Sequence, residues 1–291
     1  MFKLIQNLAC YSFHSVLSIA LIIGLHGSHS VFPLTLSLTS FLLSKLLAGS
    51  KLFFSFIWIF NIITMLANEY FNGYSFRMLD VNLSYLDLYK GLMRWHVFYR
   101  FTMLRNISFG LDLHWSKFSH SISTKPSHKL DQSERKCLNL QENDYNLSNF
   151  VNYAFYPPLY IAGPIMTFND FVHQKLKHCN PIKNDYIFKY ALRFAFSYLT
   201  LEVILHYMYV IAIKNTGAWR NNTPAELALI GFWNLIIVWL KLLIPWRFFR
   251  LWSLCDGIDC PENMIRCVAN NYSTTGFWRA WHRSFNLWII R

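Results

Sequence analysis

Residues 225–246 read AELALIGFWNLIIVWLKLLIPW, with one carboxylate at the start, one lysine late in the run and no other charge. As a helix this stretch is roughly 33 Å long, which matches the hydrocarbon thickness of a bilayer. It predicts a membrane crossing, and the rest of the chain is read outward from it. Immediately upstream, YIFKYALRFAFSYLTLEVILHYMYVIAI (186–213) is long enough to cross with tilt, and the turn-rich KNTGAWRNNTP joins the two.

The composition agrees with this reading. Of 291 residues, 54% are hydrophobic, 18% aromatic and only 14% charged, against about a quarter charged in soluble domains. Apolar runs at 8–24, 31–48 and 52–67 predict three further helices. The first follows Lys3 but precedes no small-x-small cleavage site, so it reads as a signal-anchor or first spanning helix. Lys45 and Asn61 interrupt the next two, which is tolerated where a helix faces protein rather than lipid. Residues 89–115 mix arginines with aromatics too densely for a plain span and predict an interfacial or partly embedded segment.

The expected fold is therefore all-α: a polytopic membrane bundle with re-entrant or interfacial helices. It divides into membrane helices with an interfacial segment (1–113), a polar loop (114–149) and a second hydrophobic part (150–291). The net charge of +12 comes from basic residues at the ends of apolar runs, Lys51, Lys90, Arg94, Arg247 and Arg250 among them. That distribution suits a lipid bilayer as partner and excludes nucleic acid, for which no phosphate-tracking stripe or module is present. Six cysteines include no C-x-x-C, and none sits with histidine at zinc spacing. The expectation is reduced, partly buried thiols and no metal site.

Ionisable groups inside apolar helices cost a few kcal/mol unless they meet a cavity or a partner. Glu202 and His206, spaced i,i+4, share one face of the 186–213 helix. They fit either a polar pathway wall or an ion pair between helices. The segment from Arg247 to Gly276 carries Asp256, Asp259 and Glu262 around a glycine and a proline, and reads as a re-entrant wall or an interfacial loop. Beyond it comes FWRAWHRSFNLWIIR (277–291). As one helix starting after Ser273, Thr274 and Thr275, it places Trp278, Trp281, Phe285 and Trp288 on one side and Arg279, His282, Arg283 and Asn286 on the other. On periodicity alone His282 is either a hydrogen-bonded core histidine or a site residue.

YPPLYIAGPIMTFNDFVHQ (156–174), KLLIPWRFFRLWSLCDGIDCPENMIRCVANNYS (241–273) and FWRAWHRSFNLWIIR together resemble the membrane-bound O-acyltransferase family, in its fungal glycerol-uptake branch. The resemblance implies a multi-helix enzyme of the endoplasmic reticulum membrane, with the plasma membrane as the other location. It would move a fatty acyl group from acyl-CoA, as co-substrate without any other cofactor, to a lipid acceptor hydroxyl in glycosylphosphatidylinositol anchor remodelling. The alternative is glycerol or polyol transport. The resemblance places His282 at the first of two active-site positions, with Asn286 as fallback. Arg279, Arg283, Glu202 and His206 are the expected substrate-binding residues. The second position, a histidine on a later helix, falls beyond Arg291. The expectation is thus an incomplete core and an impaired enzyme.

Overall fold

The computed structural model describes residues 15–118, 131–176 and 182–290. Among these the regular elements are all helical, with two isolated bridges, Gly27 to Lys90 and Met264 to Trp281. The chain forms two compact units, one within Met1–Ile161 and Ile165–Asn180, the other from Ala162–Pro164 and Pro181–Arg291. Among the described residues four helical stretches are long and apolar enough to cross a membrane: Ser28–Leu47, Phe53–Tyr70, Asn184–Thr216 and Pro224–Cys255. The polytopic all-α reading therefore holds.

The first unit contains α1 (Ser15–His26), α2 (Val31–Leu47), α3 (Phe53–Tyr70), α4 (Phe76–Leu79), α5 (Trp95–Ser116), α6 (Gln132–Cys137), α7 (Leu147–Ala154), α8 (Pro157–Ile161) and α9 (Phe168–Leu176). Helices α2, α3 and α5 pack together. Most of the 89–115 segment, expected to be interfacial or partly embedded, forms α5, against which α2, α3, α7, α8 and α9 pack. Its residues Arg105 to Gly110 are all buried, so that stretch shows no apolar stripe to read, whereas Val97, Arg100 and Phe101 near its start are exposed. Helices approach closely at Gly110, where a Cβ would lie 2.9 Å from Ser44 Oγ and 3.2 Å from Phe53.

Polar side chains stitch this unit internally. Asn61 Nδ2 donates to Ser40 Oγ at 3.3 Å, and Asn106 Nδ2 donates to Ser37 Oγ at 3.3 Å. The buried Arg105 guanidinium donates to the carbonyls of Ala154, at 2.8 Å, and Leu159. The described part of the 114–149 segment includes helix: α6 opens on a capping box from Asp131 and Glu134, Asn146 caps α7, and Leu140, Tyr145 and Asn149 are buried, while residues 119–130 lie outside the described residues. Arg135 pairs with the buried Asp170 at 2.7 Å; desolvation is the larger effect there and still pushes that carboxyl above its ordinary range.

The second unit contains α10 (Asn184–Tyr207), α11 (Val210–Thr216), α12 (Pro224–Cys255), α13 (Thr274–Ala280) and α14 (Arg283–Ile289). The 186–213 run is interrupted: regular helix ends at Tyr207 and resumes at Val210. Helix α12 begins at a capping box between Thr223 and Glu226, with Pro224 in the first turn where its missing N–H is harmless. It continues through Pro245 to Cys255. The first third of the 247–276 segment, expected to be irregular, is therefore helical.

Candidate active site

The site is assembled where the connection after α12 turns back. Gly257, with φ of +80°, ends that helix, and Ile258 N–H closes onto the Ser253 carbonyl at 2.8 Å. The left-handed conformation there is what asks for glycine. The returning strand of residues is then clamped by Arg250, whose side chain is buried. Its Nε donates to the Cys260 carbonyl at 2.8 Å, Nη2 to Asp259 Oδ1 at 2.8 Å and Nη1 to Glu262 Oε2 at 3.3 Å. Its guanidinium also lies over the Tyr190 ring, 4.8 Å from the centroid.

Glu262 is the hub of this knot. Besides Arg250 it meets Arg193 at 3.5 Å and Arg247 at 3.7 Å, and Tyr190 donates to it at 3.1 Å. Arg247 in turn donates to Ser197 on α10. Arg247 and Arg250, which the composition reads as anchors at a helix end, are thus turned inward. Such a pairing holds only while each partner is present, since an uncompensated buried charge costs several kcal/mol.

The knot delivers Asn263 and Met264 to a fixed place. Met264 and Val268 join the apolar core of Leu201, Ile236, Ile237, Leu240 and Leu243, against which Trp246, Phe277 and Trp281 pack. Met264 also bridges to Trp281. Asn263, buried, accepts the Arg283 N–H on its carbonyl at 3.0 Å and the Ser284 hydroxyl on Oδ1.

Between Trp281 and Arg283 sits His282, with φ of 47° and ψ of 46°. The single helix expected over 274–290 is therefore two short ones, α13 capped by Ser273 and α14 beginning after His282. A non-glycine residue in the left-handed region costs about 1–2 kcal/mol, which the two bonds to Asn263, each worth about 1 kcal/mol, offset. His282 is half-buried. Its ring stands edge-on to Trp246 at 5.0 Å and to Phe285 at 5.8 Å. Burial holds its imidazole below the ordinary value of 6.5, so the ring is neutral at pH 7 and suited to accept a proton.

The other expected site residues distribute unevenly. Arg283 and Asn286 are half-buried on α14, and the Asn286 N–H donates to the His282 carbonyl at 3.3 Å. Arg279 is exposed on α13. Glu202 and His206 are exposed on α10. Among the described residues no ion pair involves either of them. Sequence periodicity missed Asn263, Ser284 and Trp246, because none of them lies in a helical repeat with His282.

Fold and site together define a polytopic all-α membrane protein with a neutral histidine held on a tight turn beside an arginine–carboxylate knot. Residues 46–291 match the membrane-bound O-acyltransferase family, MBOAT. The chain is 46% identical over 284 residues to Membrane-bound O-acyltransferase GUP1 of Candida tropicalis, covering 93% of this chain and 48% of that protein. It is 44% identical over 301 residues to Membrane-bound O-acyltransferase GUP1 of Saccharomyces cerevisiae, covering 98% and 53%. Against Membrane-bound O-acyltransferase gup1 of Schizosaccharomyces pombe the identity is 44% over 276 residues, covering 91% and 47%. The chain belongs to the membrane-bound O-acyltransferase family. It spans about half the length of the curated relatives it matches.

Proposed function

We propose that this chain carries, at His282, the first of the two active-site positions of a membrane-bound O-acyltransferase and transfers acyl groups at a reduced but measurable rate. The observation that carries the reading is the His282 turn: a half-buried imidazole, below its ordinary pKa, in a left-handed conformation maintained by Asn263. A lipid hydroxyl is a weak nucleophile at pH 7, and a positioned neutral imidazole removes its proton as it attacks. In the balanced step, the acceptor oxygen bonds to the thioester carbonyl carbon and the carbon–sulfur bond breaks. The hydroxyl proton leaves with the CoA thiol, so one acyl-CoA and one alcohol give one ester and one CoA thiol.

In this reading acyl-CoA is the donor and the acceptor is a lipid hydroxyl, of which the anchor lipid of glycosylphosphatidylinositol is the specific proposal. The half-buried Arg283 and Asn286 line the substrate approach, and the enzyme works in the endoplasmic reticulum membrane. Polyol transport is less well supported: a pathway through Glu202, His206, Arg279 and His282 would need them on one lined face, and the first three are exposed.

The test supplies membranes containing this protein with radiolabelled palmitoyl-CoA and a lyso-glycosylphosphatidylinositol acceptor. In parallel, vesicles containing the protein are tested for glycerol uptake. Label appearing in the anchor lipid supports the proposal. Uptake of glycerol without acyl transfer would refute it.

A further inference from the structure

Asn263 makes more contacts than a loop residue needs. It is 2% exposed, and two of its oxygens hold the residues that follow His282. The backbone carbonyl accepts from Arg283, the residue after His282, and Oδ1 accepts from Ser284, two residues after it. The remaining polar group of the side chain, Nδ2, is buried and makes no hydrogen bond. A buried amide N–H without an acceptor forfeits about 1–3 kcal/mol, and natural interiors keep such groups rare.

The surroundings fix the amide. Met264 is held by the Trp281 bridge and the α10–α12 core, and Glu262 is held by three arginines. Asn263 lies between two anchored residues, and its side-chain amide is held by the Ser284 hydroxyl on Oδ1. A rigid, water-poor donor that costs no reorganisation is the arrangement that stabilises a developing oxyanion.

Resting on the acyltransferase reading, we infer that Asn263 positions His282 through Arg283 and Ser284 and donates from Nδ2 to the carbonyl oxygen of the acyl thioester. As the acceptor hydroxyl adds to the thioester carbon, negative charge builds on that oxygen, and the Nδ2–H bond strengthens with it. The charge returns to re-form the carbonyl as the carbon–sulfur bond breaks. The step needs no reactant beyond acyl-CoA and alcohol.

The experiment compares Asn263→Asp and Ser284→Ala with the unaltered chain, in membranes, using radiolabelled palmitoyl-CoA and separating kcat from KM. Aspartate keeps the shape and the Ser284 acceptor but removes the donor. Its kcat is expected to fall about 100-fold, the scale of losing one oxyanion donor, with KM for palmitoyl-CoA within about twofold. Ser284→Ala leaves Nδ2 in place and loosens it, so kcat falls about 3- to 10-fold, again at constant KM. Thermal unfolding in detergent reports whether each variant is folded, and Ser284→Ala decides the matter if the aspartate variant is not. Unchanged kcat in the folded variants, or losses carried wholly by KM, would overturn the role of Asn263 while leaving the acyltransferase reading intact. An unaltered chain that transfers no acyl group takes down both.

Discussion

Arg105 in the first unit and Arg250 in the second are both buried arginines, and they are held by different means. Arg105 has two carbonyls, those of Ala154 at the end of α7 and Leu159 in α8. Helix C-termini carry partial negative charge, so a cation there needs no carboxylate. Arg250 has Asp259, Glu262, a carbonyl and two tyrosines. The first arrangement seals the interior of a helical unit. The second ties a returning loop to a helical hairpin and so sets the place of Asn263 and His282.

The contrast lies in the interiors and does not extend to the helix surfaces. In the first unit Ser37, Ser40, Asn61 and Asn106 are turned inward and buried, and two of the pairs they form bridge between helices. In both units large apolar side chains point outward, Leu42, Leu46, Phe56 and Ile59 along α2 and α3, and Phe188, Phe196, Leu199, Val203, Phe232 and Leu235 along α10 and α12. Side chains of that kind cannot be left to water over so large an area, and a bilayer is their natural solvent.

The contrast can be broken most severely at Arg250. Arg250→Ala is expected to destabilise the protein by about 3 kcal/mol, at the low end for a broken buried pair because Glu262 retains Arg193 and Arg247. Unfolding in detergent, followed by size-exclusion chromatography after heating, reads this as a lowered midpoint. The same change should loosen the His282 turn and abolish activity. Arg105→Met, by contrast, removes two charge-assisted bonds and leaves two buried carbonyls, at about 2–3 kcal/mol. It should lower the unfolding midpoint while sparing the turn, so surviving folded protein keeps its kcat. A variant with the reverse pattern would show that the division of labour is misassigned.

Gly110→Ala tests close packing in the first unit. The added methyl meets Ser44 and Phe53, and overpacking of this kind costs about 1–3 kcal/mol. A midpoint equal to that of the unaltered chain would mean that the helices relax freely. The smallest effect concerns pH. Burial lowers the His282 pKa in the folded state, so the unfolded chain binds the proton more tightly. Its contribution to stability is fully present above pH 6.5 and is lost as pH falls toward the folded-state pKa. The rate, which needs the neutral imidazole, should half-rise below pH 6.5, whereas a half-rise above it would contradict a desolvated ring.

Much of this architecture was legible in the sequence for physical reasons. The crossings at 31–48, 52–67, 186–213 and 225–246 follow from apolar length, and the Thr223–Glu226 box marks the start of α12. What escaped has equally definite causes. Helix α5 is buried all round only from Arg105 to Gly110, and there its polar residues and arginine read as an interface. The His282 turn is held by contacts from Asn263, nineteen positions upstream, beyond the reach of helical periodicity. Extending the helical repeat across residues 274–290 put His282 on a polar stripe, and a single left-handed residue replaces that stripe with a corner. Position 282 itself was singled out by resemblance, not by pattern.

The central claim is that His282 performs the chemistry and that its turn is merely its support. Replacing it with glycine tests both halves at once, since glycine accepts a φ of 47° without strain. Palmitoyl transfer by His282→Gly, measured in membranes beside the unaltered chain, is predicted to fall at least about 100-fold, the scale of lost general-base catalysis, with the unfolding midpoint unchanged. A folded glycine variant that transfers palmitate at the unaltered rate would contradict the account.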